Sequence, residues 1–254
     1  MLEGHAALLG SADVPPFEQR PGRGANYFVV CDHASAAIPA SLGSLGMSPE
    51  QLGTHIAIDL GARWVALGVA ERLGAPAFLA GYSRLVIDCN RHPSDPASIA
   101  TESDRQIVPG NLELTAAARA ARIEALFLPY HRAIGAALDG LAAQGARPLF
   151  LSIHSCTPRL DGQFRPWHIG LSHLPDDPLA SSAIEALRRD PRITVGDNQP
   201  YPLEVDIDYT TPQHAMRRGL PYLQVEFRQD LISTEAGAGI WADRFVDALT
   251  SLPG

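Results

Sequence analysis

Short apolar runs alternate with longer segments of helical periodicity over most of this chain. Apolar runs bounded by Gly, Pro or charged residues are typical of buried strands. These runs lie at 27–30, 75–91, 148–156, 167–173, 192–197 and 221–227. The longest of them, 75–91, predicts a strand pair or one long bent strand. Helical periodicity predicts helices at 47–75, 114–144, 177–190, 211–219 and 233–252.

The first two predicted helices carry recognisable local signals. Ser48 is a candidate N-cap, Pro49 suits the first helical position, and Gln51 completes a capping box. Gly74 marks the end of this helix. In the second helix, Pro129 lacks an amide proton, so a kink or a break is expected there.

The alternation of strands and helices predicts an α/β fold with a mixed, mostly parallel sheet covered by helices on both faces. Residues 1–25 are rich in Gly, Pro and charged residues and are predicted to form an N-terminal arm. Because no internal repeat or long linker follows, residues 26–254 are predicted to form a single domain. With 254 residues, 46% of them hydrophobic, the chain can bury one large core.

Charge and targeting signals exclude several classes of partner. The formal net charge is -8 and no run of Lys or Arg occurs, which argues against nucleic acid and anionic membrane surfaces. The first residues do not resemble a signal peptide, and no apolar span has the length of a membrane helix. The three cysteines have no CxxC spacing and indicate no disulfide framework. We therefore expect a cytoplasmic protein.

Four predicted strands end in side chains that can bind metal, transfer protons or hold carboxylates. These side chains are His33, Asp88, Asn90, Arg91, His154, Glu226 and Arg228. In open α/β sheets, ligands bind beyond the carboxyl ends of the strands, where several loops converge. A single histidine at a strand end is more often a hydrogen-bonded structural residue, but the repetition at several strand ends favours one shared site.

His55 and Asp59 are four residues apart on the first predicted helix and are expected to share one of its faces. Asp59 would then point back at the loop that carries His33. Two imidazoles and a carboxylate around an open fourth position are the ligand set of a catalytic zinc. The alternative is an exposed stripe with an ion pair between Asp59 and Arg63. The spacing is a weak signal by itself, because no HExxH motif is present.

Nine short motifs, in this order, resemble those of the N-formylglutamate amidohydrolase family. They are CDHAS followed by Pro39, HIAIDLGA, YSRLVIDCNR, IVPGN, PYHRAI, SIHSCTP, RPWHIGLSH, DNQPY and HAMRRGLPYLQVEFRQDL. The similarity extends from about residue 26 to 245. It implies a fold similar to that of zinc-dependent carboxypeptidases, and hydrolysis of an N-acyl amide on a carboxylate-bearing amino acid.

The resemblance also implies roles for individual residues. His33 and His154 match the expected ligands of a divalent metal, for which zinc is the expected ion. Asp59 is the predicted acidic ligand. The chain departs from the carboxypeptidase-like pattern at Ala36, where that pattern has a glutamate. Glu226 matches the general base, which takes a proton from water and passes it to the departing amine.

The resemblance further predicts how the substrate is held. Asn90 and Arg91 resemble the pair that binds a substrate carboxylate, and the planar fork of arginine suits this task. The implied partner is a small carboxylate-bearing amide. The further substrate-binding candidates, most of them in motif positions, are Arg84, Arg165, His214 and Arg228.

Several of these residues also have structural interpretations. Arg84 can pair with Asp88, and Arg228 with Glu226, which would depress rather than raise the pKa of that carboxyl group. The cysteines are explained more simply as small buried side chains than as nucleophiles. The acidic segment 204–208 can be a second cation site, although an exposed strand or loop explains it better.

Three hypotheses for the function remain open. The leading one is metal-dependent hydrolysis of an N-acyl amino acid such as N-formylglutamate, giving formate and the amino acid. The second is a carboxypeptidase-like or amidase activity on another acyl-amino acid or a small peptide. The third is a non-catalytic binding protein on the same fold. The presence of His33, His154 and Glu226 together argues against the third, because a binding protein needs no general base.

Overall fold

A computed structural model describes residues 7–252 of the chain. The strands in this range are β1 (Phe17–Arg20), β2 (Tyr27–Cys31), β3 (Ala77–Ala80), β4 (Glu102–Ser103), β5 (Gln106–Ile107), β6 (Leu149–Cys156), β7 (Arg159–Leu160), β8 (Gln163–Phe164), β9 (Ile169–Ser172), β10 (Val195–Asp197) and β11 (Tyr222–Arg228). The α-helices are α1 (Pro49–Leu52), α2 (Ala62–Leu73), α3 (Ala116–Arg122), α4 (Leu128–Ala143), α5 (Pro178–Arg188), α6 (Thr210–His214) and α7 (Glu235–Thr250).

The main sheet has the strand order β1-β3-β2-β6-β11-β9-β10. Its centre consists of the parallel strands β3, β2, β6 and β11. β1 runs antiparallel to β3, while β9 and β10 run parallel to each other and antiparallel to β11. The prediction of a mixed, mostly parallel sheet is confirmed. The four central strands place their carboxyl ends at one edge of the sheet, as parallel strands must.

Helices cover both faces of this sheet, as the sequence predicts. On one face, α2, α5 and α7 form a core in which Val65, Ile184 and Phe245 pack against the strands. On the other face, Ile134 of α4 packs with Phe150 of β6, and α6 lies beside α4. The two apolar layers bury both faces of the strands from which the loops at the carboxyl edge extend.

The first predicted helix is two helices with a loop between them, so the prediction of one continuous helix is wrong. The capping box is present, but α1 ends after four residues and α2 begins at Ala62. Gly61 has a φ of +79°, and a Cβ there would lie 2.1 Å from the carbonyl oxygen of Ile232. His55 and Asp59 therefore share no helix face. The loop instead brings Asp59 to the carbonyl oxygen of His33, to which its amide donates a hydrogen bond of 3.1 Å.

The apolar run at 75–91 is a strand only over β3, and the prediction of a strand pair or a long bent strand is wrong. The strand ends before Gly81, where a Cβ would lie 2.3 Å from the carbonyl oxygen of Pro15. The residues that follow form a loop, yet Leu85 and Ile87 are buried in a third apolar cluster apart from the sheet. An apolar run indicates burial, and here loop packing provides it.

The helix is irregular just before Pro129, but it is not interrupted. A turn of π-helix at Ile123–Phe127 connects α3 with α4. Pro129 lies in the first turn of α4, where its missing amide proton is tolerated.

The segment predicted as an N-terminal arm contributes an edge strand. β1 pairs with β3, and the ring of Phe17 stacks on that of Phe78, which partly buries an apolar side chain that an extended arm would leave in water. Residues 1–6 of the predicted arm lie outside the described residues. Within residues 7–252, no helix combines the length and the apolar character needed to span a membrane.

Candidate active site

A cavity of about 250 Å³ lies at the carboxyl edge of the four parallel strands. Its wall includes His33, which follows β2, His154 in β6 and Glu226 in β11. The loop after β3 adds Arg84, and the loop before α2 adds Asp59. Each central strand or the loop that follows it thus supplies a titratable group to the same cavity.

His33, Asp59 and His154 form a tight cluster in this wall, and all three are buried. Asp59 Oδ2 lies 3.2 Å from His33 Nδ1 and 3.0 Å from His154 Nδ1. One ligand atom from each residue lies within 4.8 Å of the others. Tetrahedral ligands about 2.1 Å from a zinc ion lie about 3.4 Å apart, so this spacing and this donor set fit one divalent ion.

The second nitrogen of each imidazole faces a buried carboxylate. His33 Nε2 lies 2.7 Å from Asp88 Oδ1. His154 Nε2 lies 3.4 Å from Asp32 Oδ2 and 3.1 Å from the hydroxyl of Ser152. Carboxylates in this position fix the ring orientation of metal-binding histidines and direct the other nitrogen toward the ion. Asp32 is itself held by two hydroxyl groups that donate to its Oδ1 at 2.8 and 2.9 Å, those of Tyr130 and Thr210.

Arg84 joins the two carboxylates nearest to His33. Its Nη1 lies 3.3 Å from Asp59 Oδ1, and its Nη2 donates to Asp88 Oδ2 at 2.8 Å. Burial acts to raise the pKa of Asp88, but His33 and Arg84 outweigh it and hold that pKa well below its usual range. The Asp88 carboxylate is therefore kept ionised by these pairs, and the guanidinium of Arg84 is occupied by Asp59 and Asp88.

Glu226 shares a face of the sheet with the cluster. It stands opposite His154 in the register of β11 and β6, and paired residues of parallel strands project to the same side. Its side chain is buried, and Oε2 has no hydrogen-bond partner within residues 7–252. Burial, the largest influence, raises the pKa of Glu226 to about 7. A carboxyl group in this state can take up and release a proton near neutral pH.

Asn90 and Arg91 both line the cavity, but they differ in how many of their polar atoms are already hydrogen-bonded within the protein. Asn90 donates from Nδ2 to Asp208 and accepts at Oδ1 from two backbone amides, so both ends of its amide hold the surrounding loops. Arg91 Nη1 donates to Asp208 Oδ1 at 2.9 Å. Within the described range, Arg91 Nη2 has no acceptor, which leaves one edge of the guanidinium free for a ligand.

Arg165 and Arg228 do not line the cavity. Arg165 Nη2 donates to the hydroxyl of Tyr201 at 2.8 Å, and its guanidinium lies over the same ring, 4.7 Å from the centroid. Arg228 donates to Asp230 at 2.8 Å and does not pair with Glu226. Arg165 therefore supports a residue of the wall, and the expected ion pair between Arg228 and Glu226 is absent.

His214 lies behind the cavity, in a buried pair with His131. The nitrogens His131 Nδ1 and His214 Nε2 are 2.9 Å apart, and His131 Nε2 lies 2.9 Å from the carbonyl oxygen of Cys89. A carbonyl only accepts, so His131 Nε2 carries the proton and His214 donates to His131. Burial lowers the pKa of His131 to about 4 and that of His214 to about 3. This neutral pair connects α4 with α6.

Tyr201, Gln224 and Asp208 also line the cavity, and the sequence analysis assigned none of them to this site. Gln224 and Glu226 are two residues apart in β11 and therefore project to the same face of the sheet, so strand periodicity could have predicted that Gln224 lines the cavity. Asp208 was interpreted as part of an exposed acidic segment, whereas its pair with Arg91 leaves its side chain only 9% exposed. Tyr201 follows a short strand in an irregular loop, and the DNQPY motif that it ends was the available signal for it.

The three cysteines are buried and unpaired by disulfides. Burial raises the pKa of the Cys31, Cys89 and Cys156 thiols. A thiol that stays protonated at neutral pH is a poor nucleophile, which supports the interpretation of all three as small packed side chains.

Comparison with known proteins agrees with the fold and with the motifs. The family of N-formylglutamate amidohydrolases matches residues 25–233. The crystal structure of the gene product Atu2144 from Agrobacterium tumefaciens is 34% identical, with a TM-score of 0.89 over 96% of this chain and 98% of that one. An N-formylglutamate amidohydrolase from Ralstonia eutropha JMP134 shares the fold at 24% identity, with a TM-score of 0.71 over 93% and 97% of the two chains. No curated protein matches. With its family match covering most of the chain, this protein belongs to the N-formylglutamate amidohydrolase family.

Proposed function

We propose that this protein is a metal-dependent hydrolase of N-acyl amino acids such as N-formylglutamate, and that it releases formate and the free amino acid. The observation that carries the proposal is the cluster of His33, Asp59 and His154, which shares one cavity with the buried carboxyl group of Glu226. The family supports hydrolysis of an amide. A cavity of about 250 Å³ suits a small substrate better than a peptide.

The metal ligands in this proposal are His33, Asp59 and His154. A divalent ion bound there supplies Lewis acidity for activating water and polarising the amide carbonyl. Asp88 and Asp32 orient the two histidines, and Arg84 pairs with Asp59 and Asp88.

Glu226 is the proposed proton carrier. Its unpartnered Oε2 accepts a proton from the attacking water and later delivers it to the nitrogen of the departing amine. A pKa near 7 suits both halves of this transfer, because the carboxyl group is then neither too weak as a base nor too weak as an acid. A protein that only binds a ligand has no use for a buried carboxylate in this state.

Release of formate from N-formyl amino acids tests the proposal directly. We expect turnover by the purified protein, loss of that turnover after exhaustive treatment with a chelator, and recovery when one equivalent of Zn²⁺ is returned. A parallel panel of N-acetyl amino acids and short peptides separates deformylation from the amidase and carboxypeptidase-like alternatives. Undiminished turnover by protein shown to contain no metal would contradict metal dependence, and turnover of peptides alone would favour the alternatives.

Arg91 is proposed to bind the substrate carboxylate with its free edge. We expect Arg91→Lys to raise KM about 10-fold or more with a small change in kcat, and Arg91→Ala to lower kcat as well, because the guanidinium fork both binds and aligns the substrate. Steady-state kinetics measures this division. Arg192→Lys, at an exposed arginine, is the matched control. Equal turnover of a substrate and its carboxamide analogue would remove Arg91 from this role.

A further inference from the structure

Among residues 7–252, Arg165 is a buried cation without a carboxylate partner. Only 8% of the residue is exposed. Its hydrogen-bond partners are neutral groups: Nη1 donates to the carbonyl oxygen of Thr157 at 3.4 Å, and Nη2 donates to the hydroxyl of Tyr201 at 2.8 Å. Because a buried arginine is almost always paired with an anion, the charge of Arg165 is left for a ligand to balance.

The cationic groups of the cavity wall, in contrast, each face a carboxylate. These pairs are Arg84 with Asp59 and Asp88, Arg91 with Asp208, His55 with Asp104, and the two histidines of the cluster with Asp59. A divalent ion at the cluster would have Asp59 as a ligand and Glu226 on the same face of the sheet. Within the described part of the chain, Arg165 is therefore a cation beside this site that lacks an anionic partner.

Tyr201 connects the charge of Arg165 with the cavity. Tyr201 lines the cavity, and 42% of the residue stays exposed. Its hydroxyl oxygen accepts from Arg165, whose guanidinium lies 4.7 Å from the centroid of the ring. Within the described range no acceptor takes the hydroxyl proton, so Tyr201 can donate it to a ligand. Since hydrogen bonds in a chain polarise one another, a hydroxyl that accepts from a cation is a stronger donor.

The backbone around Tyr201 is held beside Glu226. Gly170 of β9 stands opposite Glu226 of β11 in the register of these antiparallel strands. A Cβ at Gly170 would lie 1.8 Å from the carbonyl oxygen of Gln199, so the missing side chain makes room for the segment that leads into Tyr201. The hydroxyl of Ser172 donates to the carbonyl oxygen of Tyr201 at 2.7 Å. Tyr201 is therefore in place before a ligand binds, which lowers the entropic cost of using it.

We propose that Tyr201, with Arg165 behind it, binds the second carboxylate of a dicarboxylic substrate. The hydroxyl of Tyr201 donates to the side-chain carboxylate, while the free edge of Arg91 binds the α-carboxylate. The substrate class is thereby narrowed to N-acyl derivatives of acidic amino acids, such as N-formylglutamate. Tyr201 is a specificity-determining residue, and Arg165 is a positioning residue that acts through it. This inference rests on the proposed amidohydrolase function and deepens it.

Glu204 opposes the binding of an anion only weakly. It lines the same cavity and has no ion-pair partner within residues 7–252, but its side chain is exposed, and water screens exposed charges. Arg165 is buried, and a charge in less polar surroundings acts more strongly on a nearby anion. The field at the Tyr201 hydroxyl therefore favours a carboxylate.

Three N-formyl substrates test the inference: those of L-glutamate, L-glutamine and L-methionine. Glutamate and glutamine have the same shape, so the ratio of their kcat/KM values reports the charge of the side chain. We expect kcat/KM for N-formylglutamate to exceed that for N-formylglutamine by about 10-fold or more, since a charge-assisted hydrogen bond is replaced by a neutral one. N-formylmethionine, whose side chain has neither a carboxylate nor an amide, is expected to be the poorest substrate of the three.

Two variants locate the selectivity. Tyr201→Phe keeps the ring and removes the hydroxyl, so it is expected to lower kcat/KM for N-formylglutamate about 10-fold or more, mainly through KM, and to change the value for N-formylmethionine little. Arg165→Gln is expected to lower the glutamate-to-glutamine ratio as well, because the cation behind the hydroxyl is lost. Tyr27→Phe at the start of β2 and Arg192→Gln at an exposed arginine, both outside the cavity, are the matched controls and should leave the ratio unchanged.

The possible outcomes separate this inference from the proposed function. A glutamate-to-glutamine ratio near or below one, with measurable turnover, overturns the inference and leaves the amidohydrolase function standing. A high ratio that survives both Tyr201→Phe and Arg165→Gln overturns the assignment of the second carboxylate to these residues. An equal loss of kcat on all three substrates in a folded Tyr201→Phe protein also overturns it, and places the hydroxyl at the reacting amide. Absence of formate release from all three substrates, by protein shown to hold metal, overturns the proposed function and the inference with it.

Discussion

Replacement of Glu226 by Gln is expected to lower kcat by about 10²–10⁴-fold, the usual contribution of a general base. The substitution keeps the size of the side chain but removes the proton acceptor at Oε2, which has no other partner within the described part of the chain. KM and zinc content should change little, because Glu226 faces the cluster of His33, Asp59 and His154 without belonging to it. Formate release and metal analysis of the same preparation measure both quantities.

Glu185→Gln is the matched control for this substitution, since Glu185 is exposed on α5. Two results would change the assignment of Glu226. Loss of zinc together with activity would make Glu226 a metal ligand. A near-normal kcat would mean that the base lies elsewhere, and Asp88, already hydrogen-bonded to His33, would be the next group to test.

Replacement of Asp59 by Asn is expected to weaken zinc binding more than about 100-fold and to abolish turnover at ordinary zinc concentrations, because a ligand changes. The change removes the negative charge that both histidines face, and it leaves Arg84 with a single carboxylate partner. Competition with a chromogenic chelator measures the affinity, and circular dichroism checks that the variant is folded.

Asp32→Asn is expected to weaken zinc binding less than Asp59→Asn does, and it serves as the comparison for this second prediction. Asp32 touches His154 and not the ion, and outer carboxylates of this kind typically contribute about 10–100-fold to metal affinity. Asp139→Asn, at a carboxylate paired with Arg218 on the surface, is the neutral control. An Asp59→Asn protein that binds zinc as tightly as the parent would contradict the proposed ligand set.

The sequence alone was sufficient to predict the features that depend on neighbouring residues along the chain. The apolar run at 148–156 becomes β6, and the capping residues Ser48 and Gln51 begin α1. The alternation of strands and helices was enough to predict the layered α/β architecture, because a parallel sheet needs helices between its strands to cover both of its faces. The same reasoning placed His33, His154 and Glu226 at strand ends, since the end of an apolar run is visible in one dimension.

Periodicity failed where burial came from a loop and not from a regular element. The run at 75–91 is apolar enough for a long strand, yet beyond β3 it packs as a loop in a cluster of its own. The helix drawn through Asp59 is interrupted because Gly61 must accommodate the backbone of Ile232, which is distant in the sequence. A contact of this kind leaves no trace in a local pattern.

Only the tertiary structure decided which charged groups are free and which are already paired. The sequence favours Arg91 as the residue that binds the substrate carboxylate, and it leaves Arg84, Arg165 and Arg228 as further candidates. In the fold, Arg84 is held by two carboxylates, Arg228 by Asp230, and Arg165 by a tyrosine, while one edge of Arg91 remains open. The strength of an ionic interaction depends on distance, burial and competing partners in three dimensions, and residues far apart in the chain set all three.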